Sequence, residues 1–213
     1  MDIAGTLKDN IKVFLPVVGL LIVIVAFYLV DLDYGSFTSV TPAMRDNGVA
    51  EERNITYQAD VYTSYGTFRI DLYENLAPKN VENFITLANE GFYNNLKFHR
   101  VIENFVIQTG DPLGDGTGNA GYYINDEITS ELSFAEYTVG MANEGRPNTN
   151  SSQFFVTLKN GNFSHLDDDY TIIGKVIDGF RVVDRIGSVE VDSEYFPKVD
   201  VFVERIEIIE DTK

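Results

Sequence analysis

Residues 13–30 (VFLPVVGLLIVIVAFYLV) are eighteen consecutive positions without a charge, nearly all strongly apolar, and they divide the chain into two unlike parts. At about 1.5 Å of rise per residue, a helix of that length just crosses a hydrocarbon core about 30 Å thick. It has no polar face to turn toward water, so membrane suits it better than packing on a soluble core. A cleaved secretory segment is the nearest alternative, yet no A-x-A-like small-residue site follows Ala26-Phe27-Tyr28-Leu29-Val30-Asp31. The sequence therefore predicts a short cytoplasmic N-terminus at 1–12, a transmembrane signal anchor at 13–30, a flexible tether at 31–53 and a folded domain at 54–213. Gly35, Ser36, Ser39, Pro42, Asn47 and Gly48 give the tether its turn-rich, unpatterned character. Lys8 and Lys12 precede the span while Asp31 and Asp33 follow it. By the positive-inside tendency this is a single-pass protein of the cell membrane with its C-terminal domain extracytoplasmic.

Composition narrows what the domain can do. The chain has no Cys, which excludes disulfides, thiolate metal sites, Fe–S clusters and a cysteine nucleophile. With 16 Lys and Arg against 33 Asp and Glu its net charge is −17, and 12 basic against 26 acidic residues from Asn54 onward place −14 of that in the domain. Such a surface repels phosphate backbones, so nucleic acid is not an expected partner. Two His leave little for a histidine-based metal site, and no metal or cofactor is expected.

The domain reads as mainly β. Ile55, Tyr57, Ala59 and Val61 alternate with polar residues, as do Phe68, Ile70 and Leu72, and Ser64-Tyr65-Gly66 between them is a hairpin turn. A helix begins at Pro78, carries Val81, Phe84, Ile85, Leu87 and Ala88 at helical spacing, and stops at Gly91. Short apolar runs at 98–102, 104–108, 137–142, 153–158 and 171–177 predict further strands, followed by a short helix at 180–186 and a last strand over 199–209. Many short strands with two helices point to a closed or nearly closed antiparallel barrel, the arrangement that removes exposed edges.

Several motifs carry letters without chemistry. Gly116-Thr117-Gly118-Asn119-Ala120-Gly121 matches a dinucleotide fingerprint, but no βαβ unit surrounds it, so it reads as a glycine-rich loop shaping a groove. Asp167-Asp168-Asp169 fails the calcium-loop spacing and reads as a solvated turn. Ser164, His165 and Asp167 supply a hydrolase triad's residue types without a nucleophile elbow. More informative is a polar pair among apolar neighbours: Arg100 and Gln153 each fall on a strand face shared with hydrophobic side chains. From pattern alone, Arg100 is either a functional cation or one half of an ion pair at a barrel rim.

Three ordered blocks decide between these readings. They are Phe98-His99-Arg100 leading to Gln108-Thr109-Gly110-Asp111, then Met141-Ala142-Asn143 with Asn148-Thr149-Asn150-Ser151-Ser152-Gln153-Phe154-Phe155, and His165-Leu166-Asp167 leading to Gly174-Lys175-Val176. Together they resemble the cyclophilin family of peptidyl-prolyl cis-trans isomerases over about residues 54–211. The resemblance implies a closed eight-stranded antiparallel barrel capped by two helices, with a proline-binding groove on its surface. Carried over by motif position, the catalytic residues would be Arg100, its neighbour Gln108, and Phe105. Substrate would be bound by Val106, Ala142, Asn143, Gln153, Phe155, Leu166, His165 and Tyr170. His99, next to Arg100, is assigned to the opposite strand face as a structural residue. The chain departs from the family at Val106, where Met is usual, at Thr109, where Gly is usual, and at Arg146, an extra residue in the loop after Asn143. His165 stands where familiar members place a tryptophan against cyclosporin.

The implied activity is rotation about X–Pro bonds without a cofactor, by a monomer whose partners are proline-containing segments of client proteins and the membrane, assisting folding outside the cytoplasm. The alternative is a non-catalytic module or scaffold in a membrane complex that holds such segments without turning them over.

Overall fold

A computed structural model of the protein describes residues 55–212. The N-terminal, anchor and tether assignments at 1–53 lie outside the described residues. Among the described residues, no helix is long and apolar enough to cross a membrane.

The alternating segments fold into strands with their apolar positions turned inward. β1 (Ile55–Thr63) and β2 (Gly66–Leu72) form the expected hairpin, pairing Val61 with Phe68 and Ala59 with Ile70, all four buried. α1 (Pro78–Asn89) follows. Then come β3 (Leu96–Lys97), β4 (Arg100–Ile102), β5 (Val106–Thr109), β6 (Thr138–Met141) and β7 (Phe154–Thr157). A 3-10 turn (Ser164–Leu166), β8 (Ile172–Asp178), α2 (Phe180–Gly187) and β9 (Phe202–Thr212) complete the order. All strands join one antiparallel sheet in the order β3-β9-β1-β2-β8-β6-β7-β5-β4.

The strand number differs from the eight implied by the resemblance, for a local reason. The chain from 96 to 102 is interrupted at Phe98 and His99, both buried, so that residues 96–97 pair with β9 and 100–102 pair with β5. Both ends of the sheet order therefore fall on one stretch of chain, and the sheet curls round to bring them together. Thr109 helps to hold this junction, because its hydroxyl donates to the Lys97 carbonyl at 2.8 Å.

The first helix starts where the proline dictates, since a missing N–H and a preset φ are harmless at the first turn. Its free N–H groups are capped from a distance: the Glu127 carboxylate accepts from Lys79 N at 3.2 Å and from Asn80 N at 2.9 Å. The Asn80 side chain, fully buried, joins the same carboxylate at 2.8 Å and accepts from the Asn150 side chain at 3.0 Å. The helix is thereby tied to the segment that leads into β7.

Alternation on β5 and β7 serves two hydrophobic clusters. Ile107, Phe154 and Val156 enter the main core with Phe84, Tyr93 and Phe98, and the Phe154 ring meets Phe84 and Tyr93 edge-on at 5.3 and 5.5 Å. Val106 and Phe155 point the other way, into a smaller cluster with Phe134, Ala142, Phe163, Leu166 and Ile172. Truncating Phe154, a wholly buried ring, should lower unfolding free energy by about 4 kcal/mol. Denaturant unfolding of Phe154→Ala measures this, and a change below about 1 kcal/mol would contradict the packing described.

Candidate functional site

The outer face of β4, β5 and β7 is the floor of a groove of about 450 Å³. Arg100, Phe105, Val106, Gln108, Ala142, Asn143, Phe155, His165, Leu166 and Tyr170 all line it. Gln153 stands at its edge, lining an adjoining hollow of about 330 Å³ that shares Gln108, Gly116, Ala142 and Asn143 with the groove. Residues from three separate blocks of sequence thus converge on one surface.

Strand register explains the polar part. Arg100 lies opposite Gln108 across β4 and β5, and Gln108 lies opposite Phe155 across β5 and β7. Arg100 Nη1 donates to Gln108 Oε1 at 3.2 Å, Gln108 Nε2 donates to Gln153 Oε1 at 2.8 Å, and Gln153 Nε2 donates to the carbonyls of Gly118 at 2.8 Å and Gly116 at 3.1 Å. Every acceptor in this relay is a neutral amide. Arg100 takes part in none of the ion pairs among the described residues, so the ion-pair reading of this arginine does not hold.

The glycine-rich loop is held by a carboxylate. Asp111, 1% exposed, accepts backbone N–H from Leu113 at 2.7 Å, Asp115 at 3.0 Å and Gly116 at 2.6 Å. A Cβ on Gly118 would fall 2.0 Å from Asp111 Oδ1, so glycine is required for the loop to close over the acid and aim its carbonyls at Gln153. This is the groove-shaping role that the glycine pattern suggested.

The apolar part is built by stacking. Phe155 packs flat on Phe134 at 5.5 Å and edge-on against Tyr170 at 5.4 Å. Phe105 lies parallel to His165 at 5.6 Å and to Phe163 at 6.3 Å, so the exposed imidazole lengthens one wall of the groove. The 3-10 turn that presents His165 and Leu166 is anchored by Asp167, whose Oδ1 accepts from Phe134 N at 2.6 Å. Asp167 therefore serves this turn, neither a calcium loop nor a triad. Asn143 is positioned by donating from Nδ2 to the Asp169 carbonyl at 2.9 Å and accepting from Gly145 N at 2.9 Å.

One assignment changes. His99 does not point away from the site; it sits in the break between β3 and β4 and lines the groove beside Arg100. It is 3% exposed, with neither ring nitrogen in hydrogen-bond geometry with a protein group. Strand alternation misplaced it because residue 99 is not in a strand. The sequence reading also missed Asp115, Asp169, Glu194 and Phe196, which line the same groove. Nothing local marks Glu194 and Phe196, since they arrive from a loop far along the chain.

This rolled antiparallel sheet with two helices has solved counterparts. A cyclophilin-type peptidyl-prolyl cis-trans isomerase of Cryptosporidium parvum superposes with a TM-score of 0.70 at 34% identity, covering 73% of this chain and 99% of that one. A second structure described as the same isomerase in the presence of the dipeptide Ala-Pro gives 0.68 at 34% identity, covering 72% and 99%. Fold and groove thus define a peptidyl-prolyl isomerase of cyclophilin architecture. Residues 58–208 match the family model described as cyclophilin type peptidyl-prolyl cis-trans isomerase/CLD. Peptidyl-prolyl cis-trans isomerase-like 1 of Emericella nidulans is 45% identical over 152 residues, 70% of this chain and 92% of that protein. The mouse protein of the same name is 46% identical over 143 residues, 65% and 84% of the two chains. The chain belongs to the cyclophilin-type peptidyl-prolyl cis-trans isomerases.

The burial of His99 sets the sign of an expected pH dependence. Burial pulls its pKa below the ordinary 6.5, Asp111 opposing the shift and Arg100 adding to it. As pH falls through 6.5 the unfolded chain takes up this proton before the folded one, so stability is full above that value and declines below it. Denaturant melts between about pH 7 and about pH 5.5 should show this decline, and His99→Gln should flatten it; an unchanged slope in the variant would assign it to another group.

Proposed function

We propose that this protein catalyses cis-trans isomerisation of X–Pro bonds in client proteins outside the cytoplasmic membrane, tethered there by its N-terminal apolar segment. The observation that carries the catalytic part is the state of Arg100: a guanidinium held by the neutral Gln108 at 3.2 Å, in no ion pair, beside an apolar floor. Its charge stays available to a ligand.

The barrier to rotation is about 18–20 kcal/mol because the nitrogen lone pair is delocalised into the carbonyl. Whatever localises that lone pair lowers the barrier. A guanidinium donating toward the prolyl nitrogen interacts better with the twisted, pyramidal amide, whose lone pair is free, than with the planar one. Phe105, Val106, Phe155 and Leu166 hold the proline ring while the preceding residue turns, and Ala142, Asn143 and Gln153 hold the peptide backbone. The relay from Gln153 through Gln108 orients the guanidinium before substrate arrives, so little reorganisation accompanies rotation. No proton transfer enters this scheme. Proline-peptide binding in this groove is further supported by the relative solved in the presence of Ala-Pro.

The tethered location rests on the uncharged run at 13–30 and on Lys8 and Lys12 before it. Protease added to intact cells should remove the domain, and protection there would place it on the cytoplasmic side.

Exchange NMR on the full-length protein with a proline tetrapeptide tests the chemistry. Arg100→Ala should lower kcat/KM about a hundredfold or more. Activity unchanged in this variant would refute the role of Arg100, and peptide binding without exchange would favour a holding module.

A further inference from the structure

The loop from Glu190 to Lys198 belongs to none of the three motif blocks, yet it is built to hold two side chains against the groove. Asp192 organises it: its Oδ1 accepts from Glu194 N at 2.8 Å and Phe196 N at 3.0 Å, and its backbone N–H donates to the Phe196 carbonyl at 2.9 Å. Val191 and Pro197 form an isolated bridge, Lys198 N donates to the Glu190 carbonyl at 2.8 Å, and the Lys198 and Glu190 side chains pair. Tyr195 at the tip takes φ +69, a left-handed conformation that a non-glycine residue adopts only when its surroundings impose it. The tip is tied to β4, where the Tyr195 carbonyl accepts from Val101 N at 3.0 Å, one residue from Arg100. The bend leaves Glu194 and Phe196 lining the groove on either side of that anchor.

Charge at the groove is lopsided. Asp115, Asp169 and Glu194 line it, all exposed, against the single cation Arg100, and none of the three carboxylates is in an ion pair among the described residues. Asp115 is further fixed as an anion by Thr117, whose hydroxyl and N–H donate to its Oδ1 at 2.6 and 2.9 Å. Deeper in the groove lies His99, buried, with neither ring nitrogen in hydrogen-bond geometry with a protein group. An exposed carboxylate beside an aromatic ring is the pairing that receives a Lys or Arg: the charge meets Glu194 and the alkyl stem or guanidinium lies on Phe196.

We propose that the Glu190–Lys198 loop is a specificity element that selects X–Pro segments carrying a basic side chain close to the proline, with Glu194 and Phe196 as its reading residues and Asp115 and Asp169 reinforcing the preference. This rests on the isomerase reading of the groove and refines its substrate class. The domain's balance of 12 basic to 26 acidic residues acts in the same direction, drawing cationic segments toward the surface before they dock.

The test compares three peptides with a common Ala-Pro core, flanked by Lys, Ala or Glu, using exchange NMR for kcat/KM and shift titration for affinity on the full-length protein. At low ionic strength the Lys-flanked peptide should exceed the Glu-flanked one about tenfold in kcat/KM, the ratio shrinking toward one near 1 M salt as screening shortens to about 3 Å. Glu194→Lys should cut or reverse the ratio and Phe196→Ala should reduce it. Glu204→Lys, the same charge change on exposed β9 outside the groove, should leave it nearly as in the wild type. Equal rates for the three peptides, or equal effects of Glu194→Lys and Glu204→Lys, would overturn the specificity role and leave isomerisation standing. Absence of exchange for every peptide would overturn the isomerase reading instead, and the titration of the same peptides then decides the charge preference.

Discussion

The two-sidedness of β5 and β7 is the constraint on which the rest of the structure depends. Phe154 and Phe155 are consecutive residues, and the period-two geometry of a strand sends them into different clusters, one the interior of the rolled sheet and the other the floor of the groove. Ile107 and Val106 do the same on the neighbouring strand. A ligand groove so placed rests directly on the main core, separated from it only by backbone. Its apolar floor is fixed by the same packing that stabilises the fold, and a one-residue slip in β7 would exchange core and groove side chains.

What the strands cannot supply, carboxylates bonded to the backbone do. Asp111 gathers three backbone N–H groups and Glu127 caps a helix from a distant loop. These carboxylates, Asp111 buried and Glu127 half-buried, bond mainly to backbone N–H groups, which is how an acid orders irregular chain without a cation. The result reaches the site through Gly116 and Gly118, whose carbonyls hold Gln153, which holds Gln108, which holds Arg100. A relay of amides suits this chemistry. An acid bonded directly to the guanidinium would neutralise the field that a twisted amide must feel, whereas an amide orients it and leaves the charge in place.

The net charge of −17 has a divided role. Most acidic residues are solvated and distant from the site, but three stand at the groove around an arginine that none of them neutralises. In the proposed scheme the arginine works at the proline itself and the carboxylates on what flanks it; the geometry that allows this is that opposite charges line one groove without pairing.

Helices, hairpin and most strands were legible in the sequence because each leaves a local signal: Pro78 and Gly91 bound a helical spacing, Tyr65-Gly66 turns a hairpin, and alternation marks β1 and β2. The motif blocks likewise marked Arg100, Gln108, Gln153 and Phe155, because those residues fall on short segments of distinctive pattern. Two things had no local signal. The break at Phe98 and His99, which makes nine strands of eight and turns His99 into the groove, arises because one stretch of chain must pair with β9 on one side and β5 on the other. The arrival of Glu194 and Phe196 rests on long-range contacts, the bond from Val101 N to the Tyr195 carbonyl and the packing of Val191 on the main core. By itself the sequence determined the elements, the family and the groove's central residues, since propensity, periodicity and motif are properties of neighbouring positions. Tertiary structure alone decided how the sheet meets itself, that His99 joins His165 in lining the groove and which carboxylates rim the site, because those are set by contacts between segments that share no pattern.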